Sequence, residues 1–370
     1  MVNWSESVKR INDYYENQKG KITIGIDGFV DDVWQLKKDT GLPFEKISDY
    51  AHALLARGSG GMSFGSVQKR RSYGGFAANT GKAAGRLGGE LTLIGMFGTD
   101  EYDPVFQEFS AYNSISLGEP HISLIYEFQD GKIMIGANRG GKPRPELSWD
   151  FLVSTMGAEG LKKAYEHADI VGFGYLGRVK YFEEMVTNLI DNFLAEGNCK
   201  RMFFDFANIQ GRSKEEITGV LKTLSVLNKR MPMTLSLNEH EGKILFSFLN
   251  KDFNWETPQK GVEADMEHVH KETGLDELLI HTPFFAIGAS ATEGVQIVRQ
   301  RNAEETVITT GAGDNFNGGY ISACVQQGVL NLRERLFTAN AVTGSYIRNG
   351  VSPDKEALKV EMEKLLNHMN

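Results

Sequence analysis

From about residue 150 onward, short apolar runs alternate with longer stretches of helical period, and this alternation constrains the fold more than any other feature of the chain. Strand-like Ile170 to Phe173, Arg201 to Phe206, Met233 to Leu237 and Leu278 to His281 are interleaved with helix-like Leu161 to His167, Tyr181 to Ala195, Glu215 to Leu227 and Glu239 to Leu249. That order builds a parallel sheet with helices on both faces. The amino-terminal part adds a polar helix from Met1 to Gln18, strands at Lys21 to Ile26 and Leu91 to Met96, and a helix of small residues from Asn79 to Leu87. Ile122 to Phe128 and Lys132 to Ile135, joined through Gln129-Asp130-Gly131, read as a hairpin with an Asp-Gly turn. A hairpin breaks the alternation and is assigned to a small accessory sheet. The charged stretch Asn250 to Glu277 reads as an insertion.

Composition narrows the function classes. A chain of 370 residues is one large α/β unit or two ordinary domains. The net charge of -8 argues against a nucleic-acid partner. No apolar run approaches the ~18–20 residues of a membrane span, and Met1 to Gly20 has no signal-peptide character, so a cytoplasmic protein without a membrane partner is expected. Cys199 and Cys324 give neither a disulfide framework nor a zinc set. Glycine is in excess, 41 residues against a usual ~7%, and it clusters in a few loops. Loops of that kind let a backbone approach something closely.

The sharpest cluster is Thr309-Thr310-Gly311-Ala312-Gly313-Asp314, between a β-like run at Glu305 to Ile308 and a helix of small residues. Successive N–H groups at a helix start form an anion site. Asp314 would repel an anion held there, yet suits a base that takes a proton from a hydroxyl attacking phosphorus. The bland alternative is a helix cap with glycines for packing. Asn238-Glu239-His240-Glu241 follows a strand, with Asn238 and Glu241 on one face of a helix start. This suits Mg²⁺ held by oxygen, or equally a capping box. Gly74-Gly75-Phe76-Ala77-Ala78-Asn79 places a polyol-competent amide after a glycine pair, or is simply a tight strand-to-helix turn. Gly172 to Gly177 fits G-x-G-x-x-G, the basis of an alternative reading as an NAD-dependent oxidoreductase; Asp205 lies some distance beyond the usual ~20-residue offset of the ribose acid.

In their order and spacing, these three motifs resemble the ribokinase-like (PfkB) carbohydrate kinase family, and the resemblance covers most of the chain. Gly74, Gly75, Asn79, Gly88 and Gly98 are similar to that family's first signature, and Thr309 to Ile321 to its second. Asn238 to Glu241 matches its N-x-x-E magnesium motif. The resemblance implies a doubly wound, mostly parallel α/β sheet with helices on both faces and a small β-sheet lid. It implies one kinase domain over residues 1–370, with lid segments at about 28–72 and 112–142. It implies ATP and Mg²⁺ as cofactors and a sugar as substrate, a nucleoside being the alternative within the family. Asp314 becomes the base, and Gly311, Ala312 and Gly313 the anion hole. Thr309 and Asn340 fall to the nucleotide, Asn238 and Glu241 to Mg²⁺ through water, and Asp31, Gly75 and Asn79 to the sugar. A homodimer through the lid is a further expectation. Three positions depart from the family pattern. Ile308 replaces the Asp or Asn before the anion-hole threonine, and Gly81 replaces a Ser, Thr or Ala. His281 to Ala286 replaces the T-x-G nucleotide loop and is similar to the corresponding stretch of ADP-dependent sugar kinases.

Overall fold

The computed structural model describes residues 3–56, 63–137, 146–174, 181–207, 209, 211–301 and 306–369. The strands are β1 (Lys21–Gly25), β2 (Phe29–Lys37), β3 (Gly65–Gly74), β4 (Glu90–Gly95), β5 (Asn113–Ser116), β6 (His121–Phe128), β7 (Gly131–Ala137), β8 (Ile170–Phe173), β9 (Arg201–Asp205), β10 (Met233–Asn238), β11 (Glu277–His281), β12 (Phe285–Ser290) and β13 (Gly294–Arg299). The helices are α1 (Trp4–Asn17), α2 (Ile47–Ala56), α3 (Phe76–Arg86), α4 (Trp149–Tyr165), α5 (Phe182–Leu189), α6 (Lys214–Asn228), α7 (Glu239–Phe248), α8 (Val262–Thr273), α9 (Ala312–Cys324), α10 (Leu332–Asn349) and α11 (Lys355–Met369).

Among these residues nine strands form one sheet in the order β13-β12-β11-β10-β9-β8-β1-β4-β5. Pairing is parallel from β5 to β11, and β12 and β13 close the edge antiparallel. The strand sequences show why both faces are covered. In β9, Phe203 packs into one core while Met202 and Phe204 pack into the other, and β8 divides Ile170 from Val171 and Phe173 in the same way. One core takes up α1, α3, α9, α10 and α11; the other takes up α4 to α8. The order reverses beside β1, the switch point where open α/β sheets leave a crevice at their strands' carboxyl ends.

The second sheet has four strands, β3-β2-β6-β7, and the expected hairpin is its β6–β7 edge, closed from Phe128 to Gly131. Val67, Met134 and Ile135 on its strands are about half exposed, Met134 and Ile135 on opposite faces of β7. The segment Asn113–Ser116, within the second span expected to form a lid, pairs instead with β4 in the large sheet.

Two elements differ from the sequence expectations. The stretch Asn250 to Glu277, which reads as an insertion, packs within the fold, because α8 buries Val262, Met266 and Val269 in the core and His270 beside them. Thr306 to Ile308, the described end of the β-like run, is not a strand: the Val307 and Ile308 N–H groups both donate to the Ile347 carbonyl of α10. No described helix is long and apolar enough to cross a membrane.

Candidate active site

Helix α9 brings Asp314 into the crevice, and its small residues explain how. A Cβ on Gly318 would lie 2.5 Å from the Ala83 Cβ and 2.6 Å from the Thr80 carbonyl, so α3 and α9 cross in near backbone contact. The Thr80 hydroxyl donates to the Asp314 carbonyl at 3.1 Å. The Asn79 amide donates to the Asp314 carboxylate, also at 3.1 Å. Two of the early and late glycine motifs therefore meet at one acid. The Gly311 turn that starts α9 leaves the backbone of residues 311–313 facing a cavity of about 830 Å³.

Asp314, Gly311, Ala312, Gly313, Thr309, Asn238, Glu241 and Asn340 all line that cavity. Asn238 ends β10 and caps α7. Its side-chain oxygen accepts the His240 and Glu241 N–H groups, each at 3.0 Å, while the Glu241 carboxylate accepts the Asn238 N–H at 3.0 Å. The capping box is therefore real, and Glu241 is nevertheless a buried acid on the cavity wall. At the far end the Asn340 amide donates to the Val298 carbonyl at 3.0 Å, tying α10 to β13. Arg301 and Arg348 also lie there, both paired with Glu361.

Asp31, Gly75 and Asn79 do not line the cavity. They lie on the other side of Asp314. Gly75 starts α3 at φ 95, and a Cβ there would meet the Asp27 carboxylate at 2.8 Å. Asp31 is half-buried on β2. Burial pushes its carboxyl above the usual range, countered by the charges of Lys132 and Arg70. Strand alternation sends its neighbour Asp32 to the opposite face, where Gln68 donates to it at 2.7 Å.

Three functional candidates lie outside the motifs, and a fourth, His281, enters the sequence reading only as the start of a stretch that departs from the family pattern. Asp27, two residues past β1, accepts the Phe76 and Ala77 N–H groups at 2.8 and 2.7 Å and so caps α3 from outside it. Asp205 ends β9, accepts from Asn317 of α9 at 2.8 Å, and lines the cavity. His281 ends β11 opposite Asn238 in register and lines it too. Lys132 reaches the cavity from β7 of the small sheet. The shared signal is position: each acid and the histidine closes a parallel strand at its carboxyl end.

This gathering of acids has an electrostatic consequence. Burial pushes Asp27 and Asp205 each up to about 6. Asp314 is held well above the ordinary carboxylate range, first by burial and then by the negative charges of Asp205 and Asp27. Such a site takes up cations and protons readily when empty. No described group of three or more His, Cys, Asp or Glu is arranged to hold a metal ion by itself.

The G-x-G-x-x-G stretch has a packing role where it is described. A Cβ on Gly174 would fall 2.2 Å from the Phe76 Cβ, and Gly172 faces Ile321 and Phe76; residues 175–180 lie outside the described set.

Comparison with known proteins agrees with this geometry. The ketohexokinase of Haloferax volcanii is 23% identical over 368 residues, covering 95% of this chain and 93% of that protein. Phosphofructokinase-2 from Escherichia coli superposes with a TM-score of 0.61 at 13% identity, over 94% of this chain and 99% of that one. Ribokinase from Giardia lamblia gives 0.60 at 15% identity, over 95% and 100%. Residues 7–365 match the prokaryotic ketohexokinase family. A match of that extent, on a sheet wound in two directions around a crevice that holds Asp314, makes the chain a member of that family and a carbohydrate kinase of the ribokinase-like group.

Proposed function

We propose that this kinase transfers the γ-phosphoryl group of ATP to a hydroxyl of a ketohexose, with Asp314 as the base. The observation that carries the reading is the position of Asp314: buried at the start of α9, next to an anion-competent backbone turn on one side and Asn79 on the other. The attacking hydroxyl gives its proton to the Asp314 carboxylate as its oxygen bonds to the γ-phosphorus, and the bond to the leaving ADP oxygen breaks. The N–H groups of the turn at residues 311–313, of which that of Ala312 donates to the Thr309 carbonyl at 3.1 Å, would offset charge on the phosphoryl oxygens where it develops. The cavity leads away from Asp314 to Asn340 and suits the nucleotide, while Asp31 and Gly75 stand on the sugar side.

The residues present fit Mg²⁺ held indirectly. The Asn238 oxygen already accepts two N–H groups and one Glu241 oxygen accepts a third, which leaves an anionic wall suited to a hydrated hard cation. When bound, the ion would neutralise phosphate charge. The four-stranded sheet would act as the lid, with Lys132 entering the cavity from it, and the same sheet would join two copies.

Membership of a kinase family sets aside the oxidoreductase reading of Gly172 to Gly177. A nucleoside acceptor is separated by experiment. ADP release is measured across ketohexoses, aldohexoses, pentoses and nucleosides, with ATP and with ADP as alternative donors. The highest kcat/KM is expected for a ketohexose with ATP. A nucleoside as best acceptor overturns the substrate class, and release of AMP from ADP overturns the donor.

A further inference from the structure

The run from Thr306 into Asp314 is held by one face of α10. The Val307 and Ile308 N–H groups donate to the Ile347 carbonyl at 3.0 and 3.3 Å. The Tyr346 hydroxyl donates to the Thr310 carbonyl at 2.7 Å, and the Thr343 hydroxyl approaches the Ala312 carbonyl at 3.5 Å. Residues 343, 346 and 347 are three and four apart, so they share that face. Tyr346 makes the tightest of these bonds. It is buried, and burial pushes the phenol up to about 12, so it keeps the proton it donates. Its oxygen also lies against Gly311, which has φ 85: a Cβ there would sit 3.0 Å from it. Any other residue at 311 would be strained and would press the hydroxyl aside. Tyr346 does not line the cavity, so its link to the site is the Thr310 peptide.

That peptide is trans, with its carbonyl and its N–H pointing opposite ways. Holding the Thr310 carbonyl therefore fixes the direction of the Gly311 N–H. The Gly311 N–H has no acceptor among the described residues, whereas the Ala312 N–H is taken by the Thr309 carbonyl. We infer that Tyr346 is a positioning residue for phosphoryl transfer: by holding the Thr310 carbonyl against α10, its hydroxyl aims the Gly311 N–H at charge that develops on the phosphoryl oxygens. The inference deepens the proposed function and rests on its assignment of the 311–313 turn to that charge. A donor aimed in this way contributes more in the transition state than in the bound ground state, so its loss separates turnover from binding.

Tyr346→Phe keeps the ring and removes only the hydroxyl. Steady-state kinetics use ATP and the best acceptor of the ADP-release screen. Equilibrium binding to the full chain uses Mg²⁺-ADP and that acceptor, with and without aluminium fluoride as a mimic of the transferring phosphoryl group. kcat is expected to fall by about 10- to 100-fold, less than the ~10²–10³-fold lost when such a donor is deleted outright, with both KM values within about twofold of wild type. ADP alone should bind as it does to wild type, and the fluoride complex about 10- to 100-fold more weakly. Tyr346→Met fills the space with a flexible chain that has no such donor; it should show the same split and serves alone if the Phe variant does not fold. A kcat within about twofold of wild type in either variant overturns the inference. So does a matched loss of ADP and of the fluoride complex, which would mark Tyr346 as a prop for the whole cavity. A wild-type enzyme that binds the fluoride complex no more tightly than ADP alone overturns the reading of the turn, and this inference with it. Tight binding of the complex by wild type and variant alike overturns the role of Tyr346 alone.

Discussion

The two sides of Asp314 are made from different material. Toward the cavity, the wall consists of parallel strand ends and helix starts: Asn238 after β10, His281 after β11, and the Gly311 turn into α9. Each is fixed by the central sheet, and α9 is almost wholly buried. Toward Asp31, the wall is β2 and β3 of the small sheet, whose outer strand β3 is exposed along most of its length. A site that must recognise one common phosphate chain can be rigid. A site that must admit a sugar, exclude water and then release a product needs an element that moves, and a half-exposed sheet with a small core is the part able to do so. On the proposed function, the labour would divide accordingly: the large sheet would supply the chemistry and the small sheet access and selectivity.

The hardest test of that division is Asp314→Asn. Both sides depend on this carboxylate, so kcat should fall by about 10²–10⁴-fold while nucleotide and sugar affinities change little. Near-normal turnover would remove Asp314 from the reaction and leave its burial unexplained.

The next test touches one side only. Asp31→Ala should raise the sugar KM by an amount equivalent to about 1.5–3 kcal/mol per lost hydrogen bond and leave ADP binding intact. Asp32→Ala is the internal control, since Asp32 faces the other way toward Gln68 and should be close to silent. Reversed results would shift the functional face of β2 by one residue and place Asp31 outside the sugar site.

How much of this was legible in the sequence depended on whether the signal was contiguous. The Gly311 to Asp314 run could be read directly, because an anion-competent turn demands particular residue types side by side. The Gly74 to Asn79 run and Asn238 to Glu241 were legible for the same reason. Asp27 and Asp205 were not, since each is a single residue at the end of its own strand, and His281 is legible only as a departure from the family pattern. Only the strand order brings them to one crevice. The α8 stretch reads as an insertion because its charged face dominates the composition, which hides how far it packs into the fold. Val262, Met266 and Val269, at helical spacing, carried the opposite message. The β-like character of Val307 and Ile308 was overridden by tertiary contact with the end of α10.

A smaller effect probes the crevice where the two sides join. Asp27 is pushed up to about 6 in the folded chain, above its ordinary value near 3.8, so the folded state holds its proton more firmly than the unfolded state does. Stability from this group is therefore full below about pH 4 and is lost as pH rises to about 6. Asp27→Asn removes the titration. The stability difference between variant and wild type should then move by about 2–3 kcal/mol in the variant's favour from pH 4 to pH 7, whatever fixed penalty the lost α3 cap adds. Urea unfolding at the two pH values measures it, and a constant difference would show that Asp27 is not destabilised by burial.

The finest distinction lies within Glu241, which belongs to the rigid side and is at once a cap and a candidate partner for hydrated Mg²⁺. In the capping box its carboxylate accepts the Asn238 N–H at 3.0 Å, and a glutamine carbonyl can accept the same bond. Glu241→Gln therefore keeps the cap and removes only the charge. If Glu241 serves the fold alone, the variant should unfold within about 0.5 kcal/mol of wild type and show the same Mg²⁺ titration of activity. If it also orients the hydrated ion, stability is again retained, but half-maximal activity should need roughly tenfold more Mg²⁺, the low end of what a lost outer-sphere partner costs. Glu241→Ala completes the comparison: it loses the cap as well, at about 0.5–2 kcal/mol. A Gln variant that destabilises the chain as much as Ala would mean that the charge itself holds the start of α7, through the helix dipole, and that the cavity wall is rigid because of Glu241 rather than around it.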